Sequence, residues 1–290
     1  MPELPQPPPP SIIDEMVLAA LDEDGASDDV TTRALIRPDQ WGNGSFMAKD
    51  DGIICGLPVA AAAMTALDEE VSFDTLIAEG ERVSAGTPLA DVEGPLSVIL
   101  SAERVALNFL QRLSGIATLT REYVDAIVGT KAVILDTRKT TPGIRHLERY
   151  AVLCGGGRSH RFNLAAGVLI KDNHIAAARA RGIEEISDVV EMARAAAPHT
   201  LKVEVEVTSH AELLDAMVGR PDIVLLDNMS IDEIRKCIDS VAGRALIEAS
   251  GGVTLDNVRA IAETGVDFIS VGRLTHSAPA LDISLDISGV

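Results

Sequence analysis

The chain has 290 residues, enough for two domains of ordinary size. Apolar residues make up 47% and aromatics only 3%, so the core is built from Ala, Val, Ile and Leu. That composition suits buried parallel strands under helices better than an aromatic-rich sandwich. With 25 Lys+Arg against 44 Asp+Glu, a formal charge of −19 argues against a general role in holding nucleic acid or an anionic membrane surface.

The first ten residues, MPELPQPPPP, read as a short disordered tail without the basic start and apolar stretch of a secretory leader. No later segment approaches ~18 uninterrupted apolar residues, so no membrane span is expected. Cys55, Cys154 and Cys237 lie far apart in the sequence, in no metal-ligand spacing, and their odd number leaves one unpaired in any intrachain disulfide scheme. A reducing, cytoplasmic setting is the simpler expectation.

Ile12 to Leu21 reads as an amphipathic helix ending in an acidic, Gly-containing stretch, 22–29. Residues 44–55, GSFMAKDDGIIC, read as two short strands around an Asp-Asp-Gly turn, and 57–67 as an Ala-rich helix. Val71–Ala78 and Thr87–Val92 follow, separated by EGERVSAG, and the whole suggests a small α+β domain over roughly the first hundred residues. From Ser97 to Val128 the pattern becomes one long helix, a bridge between domains, with Leu107, Leu110, Leu113 and Ile116 at helical spacing and Gly115 as a kink or break.

Beyond it, runs rich in Val, Ile and Leu alternate with helical patterns: 132–136, 166–170, 202–207, 222–227, 245–249 and 267–271 are the expected strands. Repeated βα units imply parallel strands wound into an open sheet or a barrel. Polar residues stand where these strands end: Asp136, Lys171, Glu206, Asp227, Ser250 and Gly272. In a parallel barrel those ends converge on one rim, the face where such enzymes place their chemistry, so a pocket is expected there.

Between Lys131 and Arg181 there are ten Lys/Arg against three acids, a cationic segment in a strongly acidic chain. On charge alone it either binds a polyanionic small molecule or neutralises acidic helices elsewhere. Local context favours the first. In DTRKTTPG (136–143), Pro142 and Gly143 keep Arg138 and Lys139 on a loop, where a guanidinium fork and an ammonium can grip a carboxylate and a phosphate. GGGRSHRFNL (155–164) joins a flexible triglycine to His160 and Arg161, a weak signal alone, since such a histidine is also satisfied by neighbouring backbone. Lys171 in LIKDNHI follows four apolar residues and needs a partner at its strand end.

The anionic half lies in LKVEVEVTS, where the two-residue period of a strand puts Lys202, Glu204 and Glu206 on one face and Val203, Val205 and Val207 on the other. Charges turned into a barrel pair with each other, a metal or a ligand. Glu206 and Asp227 at neighbouring strand ends suit Mg²⁺; the competing reading is an internal Lys–Glu salt-bridge network. EASGGVT (248–254) and SVGRLT (270–275) each place glycines between a strand and a helix start, an arrangement that suits a monophosphate.

Taken together, SAERVALNFLQRLSGIAT (101–118), DTRKTTPG, GGGRSHRFNL, LIKDNHI, VEVEV, LLDN, SGG and SVGRLTHS resemble the quinolinate phosphoribosyltransferase family in order and spacing. The likeness runs from DDVTT (28–32) to ALDIS (280–284). It implies an N-terminal α/β (α+β) sandwich domain plus an incomplete TIM-like α/β barrel: a tail over 1–10, the sandwich over 11–115 with residues 276–290 packing back on it, and the barrel over 116–275. It also implies conversion of quinolinate and phosphoribosyl pyrophosphate to nicotinate mononucleotide, CO₂ and pyrophosphate with Mg²⁺, in a homodimer or higher assembly whose active sites are shared between subunits. Carried over by position, Arg104 reaches quinolinate from the partner subunit and joins Thr137, Arg138, His160, Arg161 and Lys171. Lys139 faces phosphoribosyl pyrophosphate, Glu206 and Asp227 its metal-bound face, and Ser250, Gly251, Gly252 and Gly272 its 5′-phosphate, with His276 nearby. The resemblance implies catalytic roles for Lys139, Lys171, Glu206 and Asp227. Ser159 stands where the family pattern has Asn, and Arg273 where it has a small residue. Three other readings compete: a related transferase using a monocarboxylate such as nicotinate, a biotinyl or lipoyl carrier built on EGERVSAGTPLADVEG, and a metal-free aldolase with Lys171 as Schiff-base nucleophile.

Overall fold

The computed structural model describes residues 5–288, so part of the expected tail, residues 1–4, lies outside the described residues. Pro10 already opens α1 (Pro10–Asp24), at a position where the missing N–H has no helical partner to lose. Helix α2 (Val30–Leu35) is capped by Asp29, whose carboxylate accepts the N–H groups of Thr31 and Thr32 at 3.0 Å. There follow β1 (Trp41–Ala48), β2 (Gly52–Ile53), α3 (Leu57–Thr65), β3 (Ser72–Thr75), β4 (Arg82–Val83), β5 (Pro88–Pro95) and α4 (Leu96–Ala126). Then come β6 (Val133–Leu135), α5 (Arg145–Cys154), β7 (Val168–Ile170), α6 (Asp172–Arg179), α7 (Ile186–Ala196), β8 (Val203–Val207), α8 (His210–Val218) and β9 (Ile223–Asp227). The chain closes with α9 (Ile231–Val241), β10 (Leu246–Ser250), α10 (Leu255–Ala262), β11 (Phe268–Ser270), α11 (Arg273–His276) and β12 (Ile283–Ser288).

Two compact units emerge: one made of the chain up to Arg121, Lys139–Gly156 and the chain from Arg273 onward, the other of Glu122–Arg138 and Gly157–Gly272. The resemblance implies a barrel running unbroken over 116–275, and in the structure Lys139–Gly156 groups with the first unit. Glu148 of α5 explains the difference. Fully buried, it accepts the Arg112 guanidinium at 2.9 Å and the Thr141 amide and hydroxyl at 2.9 and 2.8 Å, fastening α5 to α4.

The first unit is an α+β structure around an antiparallel sheet in the order β12–β1–β5–β3. Strand β12 pairs with β1 from Asn43↔Ser288 to Ala48↔Ile283. The two strands flanking the Asp-Asp-Gly turn do not pair with one another: β1 joins β5 and β12, while β2 joins β4. Gly115 does not break the long helix, which runs unbroken for 31 residues. It is needed for close approach instead, because a Cβ there would stand 1.9 Å from the Pro279 carbonyl oxygen.

The second unit is a six-stranded parallel sheet in the order β6–β11–β10–β9–β8–β7, with helices between successive strands. Each of the six expected strands forms, within two residues of its expected start and end. Val203, Val205 and Val207 are no more than 1% exposed, so the alternation along β8 turns Glu204 and Glu206 to the opposite face. Strands β6 and β7 are the sheet's two edges. Beside β6 the triglycine loop adds a short parallel bridge: the Arg158 amide donates to Ile134 and the Asp136 amide to the Arg158 carbonyl, at 2.9 and 3.1 Å.

Candidate active site

The strand ends of the second unit position most of the expected residues. Lys171 follows β7 directly, its backbone amide fixed by donation to His174 Nδ1 at 2.9 Å. Its Nζ lies 2.6 Å from Glu206 Oε2, so the cationic and anionic halves meet as an ion pair. Asp227 ends β9 in register with Ser250 at the end of β10. Asn228, in the left-handed region at φ 54°, donates its amide to the Ser250 carbonyl at 2.9 Å. This packing dictates the glycines that follow: at Gly251, φ is +84° and a Cβ would stand 2.5 Å from Asn228 Oδ1. Gly252 also has positive φ, and α10 begins after Thr254, whose amide donates to Asn257 Oδ1 at 2.8 Å. Gly272 stands two residues beyond β11.

Two residues deeper than Glu206, Glu204 is 4% exposed and Glu248 of β10 is 1% exposed. Between them sits His160, its Nε2 3.2 Å from Glu204 Oε2 and 3.6 Å from Glu248 Oε2. Burial and the Glu204 charge push the Glu248 carboxyl up to about 8, against the opposing influence of His160 and a hydrogen bond with Ser270. Burial pulls His160 down, but its hydrogen bond to Glu204 and the charges of Glu248, Glu204 and Asp136 outweigh this and raise it. The Arg161 amide donates to His160 Nδ1 at 2.7 Å, which requires a lone pair on that nitrogen. This bond places the ring proton of the neutral imidazole on Nε2, facing Glu204, while burial and the Glu204 charge favour the protonated form of Glu248. Buried Asp136 completes the anchorage by accepting the His160 amide at 2.8 Å.

The Arg138 guanidinium has a buried Nε without a hydrogen-bond partner. Arg161 donates from Nη1 to the Gly167 carbonyl at 3.0 Å, and burial together with the nearby Arg138 charge lowers its pKa. Two guanidiniums so placed strongly favour an anion. Thr137 is half-buried between Asp136 and Arg138. A cavity of about 350 Å³ is lined by His160, Arg161, Glu204, Glu248 and the strand beginnings at Val168, Ile223 and Phe268. It thus reaches into the sheet from the side opposite to Asp227 and Ser250. Lys202, expected to point inward with the two glutamates, is exposed and lines this cavity just before β8 begins.

Arg104, Lys139 and His276 belong to the first unit. Arg104 is exposed on α4; Lys139 is exposed, with its carbonyl accepting the Thr275 hydroxyl at 2.8 Å; His276 ends α11 with Nδ1 2.6 Å from Ser277 Oγ. Glu248 and Asn228 were not anticipated from the sequence. For Glu248 the signal was present, because it lies two residues before Ser250 and so shares its face of β10.

The model of the quinolinate phosphoribosyl transferase C-terminal domain matches residues 116–286, and that of the N-terminal domain residues 29–114. The chain belongs to the quinolinate phosphoribosyltransferase family. Relatives in this family include a probable carboxylating nicotinate-nucleotide pyrophosphorylase of Bacillus subtilis, 41% identical over 92% of this chain and 90% of the relative. A carboxylating nicotinate-nucleotide pyrophosphorylase of Mycobacterium leprae is 42% identical over 89% and 91%. Among solved structures, NadC from Streptococcus pyogenes superposes with a TM-score of 0.93 at 40% identity, covering 98% of this chain and 99% of its own. The family thus has the two-part architecture expected from the sequence, an N-terminal α+β domain and a TIM-like C-terminal domain. None of the described helices is long and apolar enough to cross a membrane.

Proposed function

We propose that the chain is a decarboxylating phosphoribosyltransferase that joins quinolinate to 5-phosphoribosyl 1-pyrophosphate, yielding nicotinate mononucleotide, CO₂ and pyrophosphate for NAD biosynthesis. The observation that carries this reading is the pair Arg138 and Arg161, two partly desolvated guanidiniums close enough to repel, Arg138 with a buried Nε that has no hydrogen-bond partner. A dicarboxylate answers that charge better than a monocarboxylate does.

In this reading Arg138, Arg161 and Lys171 hold the quinolinate carboxylates, and Thr137 and His160 shape the floor. Arg104 contributes from the partner subunit of a homodimer, or of a larger assembly built on it. Lys139 and His276 are assigned to phosphoribosyl pyrophosphate, and Ser250, Gly251, Gly252 and Gly272 to its 5′-phosphate. Glu206 and Asp227 offer the hard carboxylate oxygens that suit Mg²⁺, and Asp227 Oδ2 has only a long 3.4 Å contact with Asn228 Nδ2 to give up. When bound there, Mg²⁺ neutralises charge on the pyrophosphate leaving group.

Leaving-group departure gives the ribose carbon oxocarbenium character, and the quinolinate nitrogen attacks it. The ribosylated ring nitrogen then serves as the electron sink for loss of the adjacent carboxylate as CO₂. No side chain needs to become covalently attached: the cations orient, desolvate and neutralise. Three buried free cysteines fit a reducing cytoplasm. The test is an assay for CO₂ and nicotinate mononucleotide from quinolinate, phosphoribosyl pyrophosphate and Mg²⁺. Both products are expected in equal amounts; faster turnover of nicotinate overturns the substrate assignment.

A further inference from the structure

A second cluster of chemically active side chains lies wholly within the first unit. Three segments bring it together: the turn before α3 carries Cys55, the loop before β4 carries Glu79, and the end of α5 carries Tyr150 and Cys154. One ligand-capable atom from each of Cys55, Glu79 and Cys154 lies within 4.8 Å of the other two. The backbone is fixed around them. The Cys55 amide donates to Ser114 Oγ at 3.0 Å, whose hydroxyl returns a bond to the Cys55 carbonyl at 3.1 Å. The Glu79 carboxylate accepts the Gly56 and Leu57 amides at 2.9 and 2.8 Å, which fixes it beside the two thiols.

The group is short of acceptors. Among the described residues, Glu79, already engaged by two amides, is the carboxylate grouped with the two thiols, and Cys154 Sγ is 3.9 Å from its Oε2. Tyr150, 3% exposed, has a buried hydroxyl beside Glu79 that makes no hydrogen bond of ordinary length. A buried phenol without a partner is costly unless something completes the cluster.

We propose that Cys55, Cys154 and Glu79 form a site for one thiophilic divalent cation of the zinc class, with the Tyr150 hydroxyl against its fourth side. The dimensions agree: sulfur and oxygen ligands of tetrahedral zinc stand about 3.6 Å apart, so the 3.9 Å between Cys154 Sγ and Glu79 Oε2 needs only a few tenths of an ångström of closure. Binding converts two thiols to thiolates and releases two protons, leaving a site of two thiolates and one carboxylate around the dication. Because binding releases these protons, uptake weakens as the pH falls. Half-exposed Glu79 provides the entrance. Cys237, buried in the second unit, is outside the cluster and serves as a control.

The test uses the full chain, reduced, stripped with a chelator and held in excess Mg²⁺ so that carboxylate sites are filled. Titration with Cd²⁺ should produce an ultraviolet thiolate-to-metal charge-transfer band that saturates at one equivalent and persists in Cys237→Ser. Cys55→Ser and Cys154→Ser should each reduce the band by at least half. Should either serine variant fail to fold, the wild type decides: Zn²⁺ should protect Cys55 and Cys154, but not Cys237, from alkylation in peptide mass spectra. A missing band in the wild type, a band surviving the Cys55→Ser/Cys154→Ser double variant, or unprotected Cys55 and Cys154 overturns the proposal.

Discussion

Replacing Glu248 with Gln tests the electrostatic arrangement beneath the candidate site. The carboxyl is 1% exposed, has one oxygen without a partner, and titrates near pH 8 in the folded protein against an ordinary value of 4.5. Between these two values the folded chain keeps a proton that the unfolded chain has released, so stability must fall as the pH rises across that window and level off above it. One proton corresponds to about 1.4 kcal/mol per pH unit, which integrates to a loss on the order of 5 kcal/mol over the whole window. Gln keeps the shape and a hydrogen-bonding oxygen but cannot ionise, so the variant lacks this slope. The measurement is the difference in unfolding free energy between wild type and Glu248→Gln from pH 5 to 9, followed by circular dichroism in urea. Hydrogen exchange of the peptide spanning 246–250 gives a second reading local to β10. The wild type should lose ground to the variant steadily up to about pH 8. A difference that stays constant between pH 5.5 and 8 would mean that Glu248 is an ordinary ionised carboxylate, and the account of a raised Glu248 carboxyl beside His160 would fail.

Arg138→Ala and Lys171→Ala should each lower turnover of quinolinate by at least ~100-fold in steady-state kinetics, the scale of losing an electrostatic contact to reacting groups. Glu206→Ala and Asp227→Ala should raise the Mg²⁺ concentration needed for half-maximal activity; an unchanged requirement in both removes them as metal ligands. Inactive Arg104→Ala mixed with inactive Lys171→Ala should regain partial activity after subunit exchange, and no recovery despite exchange rejects the role of Arg104 across subunits. Gly115→Ala should lower stability by about 3 kcal/mol, because backbone rather than a flexible side chain stands in the way of the new Cβ. For a chain of this size that is a fall in melting temperature of roughly 6–12 °C, measurable by calorimetry.

The barrel strands were legible because each is a short β-branched run closed by a polar residue, and both features are local. IVLLD and VEVEV announce strand and rim together, and Asp227 and Glu206 stand where those patterns end. Pairings across long separations were not legible. Nothing in GSFMAKDDGIIC says that the strand before its turn will take β5 and β12 as partners, since turn chemistry fixes where the chain reverses and not what lies beside it. Gly115 misled for the same reason: a glycine in a helical pattern signals a break only if no distant backbone needs the space, and here the Pro279 carbonyl does. The Arg112–Glu148 pair and the cluster of Cys55, Glu79 and Cys154 join residues from remote segments, so they emerge only from the fold.

The spacing of acids along β8 explains how one strand serves two needs. Side chains on the same face recur every second residue, about 6.6 Å along the strand, so Glu204 and Glu206 occupy successive depths. The deeper one works on the protein itself: with Asp136 it fixes the ring and the amide of His160 and so sets the loop that carries Arg161. The shallower one pairs with the flexible ammonium of Lys171, a half-exposed partner. Exchanging the two roles would leave the loop without an anchor and bury the exchangeable charge, where releasing its partner would strand an unpaired carboxylate. Under the proposed function this depth order, anchor below and exchangeable pair above, would let a cationic loop be rigid before substrate arrives while one ion pair at the rim stays free to open.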